Sequence, residues 1–166
     1  IDPADLRKGI SYVPQDIHLF GGTIKQNILG IHKFIDDEWM LECSKMSGTD
    51  EFVRMHPSGY DMPLGERGAG LSGGQRQSVG IARALINNSD IWMFDEPTNA
   101  MDQTSESIVL NNLMSKIEGK TLLLVTQKMS MVDLVDRIIV MNFGSKVLDG
   151  PKDEIINKLG NSGEKQ

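Results

Sequence analysis

Four apolar residues, Ile91-Trp92-Met93-Phe94, run directly into two carboxylates, Asp95-Glu96, and then into Pro97. A strand with no polar alternation has to be covered on both faces, which is the habit of a strand inside a parallel sheet. Parallel neighbours need long crossovers, so this one segment obliges the chain to alternate strands with helices. It also places two acids at a strand's C-terminal end, the edge of an open α/β sheet where ligands bind. The rest of the chain fits that scheme. A short β-branched strand at 10–13 is stopped by Pro14, and a strand of the fully buried kind is expected at 121–126. Two more, at 137–141 and 146–148, flank the turn Asn142-Phe143-Gly144-Ser145. Helices are expected at 74–86, with Val79, Ala82 and Leu85 packing, and at 103–117, with Ile108, Leu110, Leu113 and Met114 among its apolar positions. Shorter ones follow at 130–135 and 152–159, before a polar, disordered tail at 160–166.

Between the first two strands the pattern is helical. Gly21-Gly22 makes a turn and Thr23 caps a short helix to Leu29. Asp36-Asp37-Glu38 opens a helix that spaces Trp39, Met40, Cys43 and Met46 on one side. Residues 49–56 read as another, with Phe52 and Met55 together. Residues 30–86 are therefore read as a helical insertion in an α/β core. The length of 166 residues suits one domain, and the net charge of -6 argues against a nucleic-acid partner. The single cysteine, Cys43, excludes an internal disulfide framework, and no apolar run reaches the roughly 18 residues of a membrane helix.

Two strings carry chemistry. Leu71-Ser72-Gly73-Gly74-Gln75 stands at the start of a helix. Paired glycines let backbone N–H groups approach an anion, the helix end adds partial positive charge, and Ser72 adds a hydroxyl donor. The plainer alternative is a capped helix after a glycine loop. In the second string, Asp95 suits Mg²⁺ and Glu96 suits orienting and deprotonating a water. Alone, that pair also fits an ordinary acidic strand end.

Together, in this order and spacing, the strings resemble the signature and Walker B motifs of the ATP-binding cassette (ABC) ATPases, over residues 1–159. The resemblance implies a partial P-loop NTPase (RecA-like) core with a mainly parallel sheet and an inserted helical subdomain. It implies segments at 1–29 (the Q-loop strand), 30–86 (the helical subdomain) and 87–159 (the remaining core). It implies ATP and Mg²⁺, with Gln15 as the Q-loop glutamine beside the metal ligand Asp95, and Glu96 as the base. Ser72, Gly73, Gly74 and Gln75 would meet nucleotide, and Asn99-Ala100-Met101-Asp102 resembles the D-loop, with Asp102 at the nucleotide interface. The alternatives are a solvated Gln15 and an Asp102 that merely caps a helix. Gly65-Glu66-Arg67-Gly68 and Phe20-Gly21-Gly22-Thr23-Ile24 have exporter character. Residues 121–130 and 134–137 resemble ATPases of bacterial type I secretion. The implied partners are a second ABC domain, transmembrane domains of the same polypeptide at the inner membrane's cytoplasmic face, an exported protein or peptide, a periplasmic adaptor and an outer-membrane channel.

The sequence departs from the family pattern twice. No Gly-x4-Gly-Lys-Ser/Thr phosphate loop occurs, which is read as truncation upstream of Ile1 and predicts that this piece is inactive alone. Where the family has histidine, after Val125-Thr126, this chain has Gln127, which donates a hydrogen bond but carries no titratable proton. Losing a positioned acid–base group costs roughly 10²–10⁴-fold. A regulatory half-site that binds ATP and barely hydrolyses it is therefore the second reading. A non-transport ABC protein acting on DNA or ribosomes is the third, disfavoured by the acidic charge.

Overall fold

In the computed structural model, which describes residues 2–32 and 35–163, three parallel strands form the centre of the first of two compact units, Ile1–Gln127. They are β1 (Ile10–Val13), β4 (Ile91–Asp95) and β5 (Thr121–Val125), in the order β1-β4-β5. The register pairs Val13 with Phe94 and Asp95 with Val125, so the three C-terminal ends lie along one edge. A helix not anticipated from the sequence, α1 (Pro3–Lys8), precedes β1.

The sheet has two unlike faces. Ser11, Val13, Trp92 and Phe94 are buried on one, where the Trp92 and Phe94 rings stack with centroids 5.7 Å apart. The other carries Tyr12, Ile91, Leu123 and Val125, exposed by 55, 40, 54 and 55%. The full burial expected of β5 is thus corrected. It pairs only with β4 among the described residues, and its alternate side chains have nothing over them. Parallel sheets are ordinarily covered on both faces.

Helix α5 (Gly73–Leu85) supplies the core for the buried side, with Val79, Ile81, Ala82 and Leu85 inaccessible. Around it stand α2 (Ile24–Leu29), α3 (Asp37–Met46) and α4 (Thr49–Val53). Thr23 makes a reciprocal capping box with Gln26 at α2, and Asp36 caps α3. Met40, Cys43 and Met46 are buried, and the Trp39 indole N–H donates to the Ile86 carbonyl. Burial pushes the Cys43 thiol up to about 12, which makes it an inert core residue. Helix α4 stops at Val53, short of the expected 56, so Met55 is 78% exposed instead of packing beside Phe52. A small antiparallel pair, β2 (Gly22–Thr23) with β3 (Pro63–Leu64), ties the turn before α2 to the later loop. Helix α6 (Gln103–Met114) buries Val109 and Leu113, while Met114 is exposed and the helix ends before 117.

The loop after β1 is pinned twice. Gly80 lets α5 approach Ile17 so closely that a Cβ would lie 2.5 Å from its Cδ1. Buried Asn27 holds Phe20, accepting from its N–H at 3.0 Å and donating to its carbonyl at 2.9 Å. The Asn27 Oδ1 also accepts from Arg83 of α5 at 2.9 Å, and Arg83 donates to the His18 carbonyl.

The second unit, Lys128–Gln166, holds a 3₁₀ turn (Met129–Leu134), a hairpin of β6 (Arg137–Asn142) and β7 (Ser145–Pro151), and α7 (Lys152–Gly163). The hairpin turns through Phe143 and Gly144 at φ 44° and 75°, the two left-handed residues of a type I′ connection. Helix α7 runs through 160–163, where a disordered tail was expected, and 164–166 lie outside the described residues, as does Ile1. Among the described residues no helix is long and apolar enough to cross a membrane.

Asn27→Ala removes one of the Arg83 guanidinium's acceptors and both side-chain partners of the Phe20 backbone at once. It should lower unfolding stability by about 2–4 kcal/mol, read as the denaturant midpoint at unchanged slope.

Candidate functional site

The parallel register assembles the predicted residues from three separate stretches of chain. Gln15 follows β1, Asp95 closes β4 with Glu96 next, and Gln127 follows β5, all beyond the C-terminal edge of one sheet. Gln15 and Gln127 are exposed, Asp95 is half-buried, and Glu96 is 8% exposed. Glu96 is also strained, with φ at 46°, the left-handed region that costs a non-glycine residue about 1–3 kcal/mol. Its N–H continues the sheet ladder by donating to the Val125 carbonyl at 2.9 Å, and its carbonyl accepts from the Asn99 N–H at 3.2 Å.

The start of α5 lies against the segment that follows. Ser72 is the N-cap, accepting from the Gln75 N–H at 3.1 Å, while the Gln75 Oε1 accepts from the Ser72 N–H at 2.9 Å. This capping box leaves the Ser72 hydroxyl proton and the Gly73 and Gly74 amides, the first two of the helix, directed to whatever stands beyond its end. The capped-helix reading and the anion reading of this string are therefore compatible. The cap uses the Ser72 oxygen as acceptor, and an anion would use its hydrogen.

The glycines have a second function that the sequence did not disclose. A Cβ on Gly73 would stand 3.0 Å from the Ala100 Cβ, and one on Gly74 would stand 3.1 Å from the Ala100 carbonyl oxygen and 3.3 Å from the Met101 Cα. Glycine is thus needed for close packing of α5 on residues 99–102. Asp102 caps α6, its two carboxylate oxygens accepting from the Ser105 N–H and hydroxyl at 2.9 and 2.8 Å. Between α4, the start of α5 and the start of α6 lies an open cleft of about 240 Å³ whose lining includes Ser72, Gly74, Gln75, Ala100 and Asp102.

One residue was passed over in the sequence. Gln77 is 5% exposed, and its amide joins the Glu96 carbonyl to the Ala100 N–H. The available signal was its phase, because it shares the stripe of buried Ile81, Ala84 and Leu85, where a polar side chain demands partners. The turn Gly65-Glu66-Arg67-Gly68 leaves Glu66 and Arg67 exposed. Among the described residues no cluster of three or more His, Cys, Asp or Glu side chains could hold a metal, so any ion here would depend on few protein ligands.

The sequence model of the family described as ABC transporter matches residues 1–99. The chain is 41% identical over 155 residues to the leukotoxin translocation ATP-binding proteins LktB of Mannheimia glucosida and of a Pasteurella haemolytica-like species (strain 5943B), covering 93% of this chain and 22% of those proteins. A bacterial Atm1-family ABC exporter solved with ATP bound matches the fold with a TM-score of 0.87 at 31% identity, over 93% of this chain and 27% of that one. The chain thus spans about a fifth of the length of these curated relatives.

The Ser105 donors favour the charged form of Asp102 and hold its carboxyl below the usual carboxylate range. Because the folded value is depressed, the cap's contribution is full above the unfolded value of about 3.9. It is lost as pH falls through the lower folded value. A carbon-detected NMR titration of the Asp102 carboxyl should give a midpoint below that unfolded value, and Asp102→Ala should remove this acid step.

Proposed function

The chain belongs to the ABC transporter family, and on that premise we propose that it is the larger part of an exporter's ATP-hydrolysing domain. The carrying observation is the convergence of Gln15, Asp95-Glu96 and Gln127 at one sheet edge, with Ser72-Gly73-Gly74 on the helix packed beside 99–102. In this reading 30–86 is the helical insertion, and 1–29 and 87–159 belong to the core.

The roles follow from chemistry. Glu96 takes the proton of the attacking water, from a backbone held in one geometry by its strand and by Asn99. Gln127 donates to the γ-phosphate of ATP without taking up a proton. Asp95 and Gln15 offer a carboxylate and an amide oxygen at adjoining strand ends, a hard-oxygen set that suits Mg²⁺ with water and phosphate completing its shell. That ion supplies neutralisation of phosphate charge when bound. Ser72, Gly73 and Gly74 supply donors for the nucleotide held by a second copy, with Gln75 locking the Ser72 backbone and Asp102 holding the D-loop segment at the interface. Donors placed in advance where charge accumulates are the main source of rate in phosphoryl transfer.

The uncovered sheet face supports a phosphate loop elsewhere in the polypeptide. A strand beside β5, followed by a helix over Tyr12, Ile91, Leu123 and Val125, would complete a sheet that is bare on one side. Likeness to the LktB proteins, named for leukotoxin translocation, supports type I secretion of a protein or peptide from the cytoplasmic face of a bacterial inner membrane. The transmembrane domains, periplasmic adaptor and outer-membrane channel belong to that reading, in which the exposed Glu66 and Arg67 would meet the membrane domains.

Two measurements test it. Calorimetric titration of this 166-residue chain with Mg-ATP should detect no micromolar site, and micromolar affinity would refute the dependence on a separate phosphate loop. In the full polypeptide, native and Gln127→His proteins should hydrolyse ATP within about 10-fold of each other. A gain of roughly 10² or more on restoring histidine would favour the regulatory half-site instead.

A further inference from the structure

Gln77 occupies a position that neither of the two motifs uses. Its side chain is buried in α5 at 5% exposure, five residues after the cap Ser72. The Nε2 donates to the Glu96 carbonyl at 3.3 Å, and the Oε1 accepts from the Ala100 N–H at 2.8 Å. The partners dictate the orientation of the amide, since a carbonyl only accepts and an amide N–H only donates. A side chain with one donor and one acceptor on a planar group at this reach is a glutamine. Glutamate loses the donor, methionine loses both, and asparagine is one methylene short.

What Gln77 holds is unusual. Glu96 is a buried non-glycine residue at φ 46°, and Gln77 donates to the carbonyl of that strained peptide, as does the Asn99 N–H. Strain of this kind persists only where surroundings over-determine it. Gln77 also holds the Ala100 N–H, on the residue against which Gly73 packs at the limit of close approach. The start of α5, the backbone of Glu96 and residues 99–102 are thus joined through one buried amide.

We propose that Gln77 is a positioning residue that couples the two ATP sites of the dimer, by tying the helix that meets the second copy's nucleotide to the backbone of Glu96, which acts on its own. This rests on the reading above, in which Ser72-Gly73-Gly74 serve one nucleotide and Glu96 the other. A shift of α5 on engaging phosphate is then passed to Glu96 without a change in the residues that bind ATP. Because Gln77 lies behind Glu96, its loss alters turnover and cooperativity, not affinity.

The test uses the full polypeptide as a reconstituted dimer, comparing native protein with Gln77→Met, which matches in shape and removes both bonds. Gln77→Glu keeps the Ala100 acceptor and sets a carboxylate oxygen against the Glu96 carbonyl in place of the donor, so it breaks that link by repulsion and serves where the methionine variant does not fold. Either folded variant should lose roughly 100-fold in kcat, as expected for a misplacement near 1 Å. The KM for ATP should stay within about 3-fold, and the Hill coefficient should fall towards 1. Native kcat and cooperativity in a folded variant, or a loss confined to KM, would overturn the proposal while leaving the ATPase reading intact. Absence of ATP hydrolysis in the native polypeptide would overturn both.

Discussion

Parallel pairing of β4 with β1 on one side and β5 on the other is the constraint from which the site follows. Antiparallel neighbours would send alternate strand ends to opposite edges. Parallel ones in register bring Val13, Asp95 and Val125 to the same edge, so residues distant in sequence meet without further instruction. The apolar run 91–94 pays for this arrangement by demanding cover, which α5 provides on one face only. The bare face is therefore as informative as the buried one. In the proposed reading it is the face that the phosphate-loop strand and its helix would cover.

The start of α5 illustrates how one short string satisfies several demands together. Ser72 and Gln75 close the helix end against each other, which fixes the direction of the Gly73 and Gly74 amides. The same glycines admit Ala100 at a distance that a side chain would meet only by displacing its neighbour. A helix end proposed to bind an anion, and also packed this closely, cannot move without moving 99–102. Gln77, further along the same helix, extends that link to the strained peptide of Glu96. The proposed function would depend on backbone placement as much as on the acidic and amide side chains.

Much of this was legible in the sequence, and the reasons are local. Apolar runs without alternation gave the strands, Thr23 and Asp36 gave helix starts, and the two motif strings named candidate residues that the fold sets on two neighbouring elements. The failures are equally physical. The apolar string 121–125 reads as buried on both faces, yet Leu123 and Val125 stand exposed because their cover is not supplied by the described residues. Met55 fits a helical spacing that α4 does not live long enough to use. The pair of two-residue strands formed by Gly22–Thr23 and Pro63–Leu64 joins positions too far apart, and too short, for any periodicity to reveal. Gln77 lies outside both motif strings, and a lone glutamine in a helix carries no chemistry by its type. Only its helical phase betrays it.

The central claim is that the α5 terminus of one copy and the carboxylate edge of the other enclose the same nucleotide. It is tested most directly by the structure of the full polypeptide carrying Glu96→Gln, determined with ATP and Mg²⁺. The account predicts two copies facing each other, with the γ-phosphate within about 3 Å of the Ser72 hydroxyl and the Gly73 or Gly74 amide of the opposite copy. It predicts residue 96 still left-handed and bonded to Gln77. A nucleotide that binds beside Asp95 while Ser72-Gly73-Gly74 remain turned to solvent would contradict it.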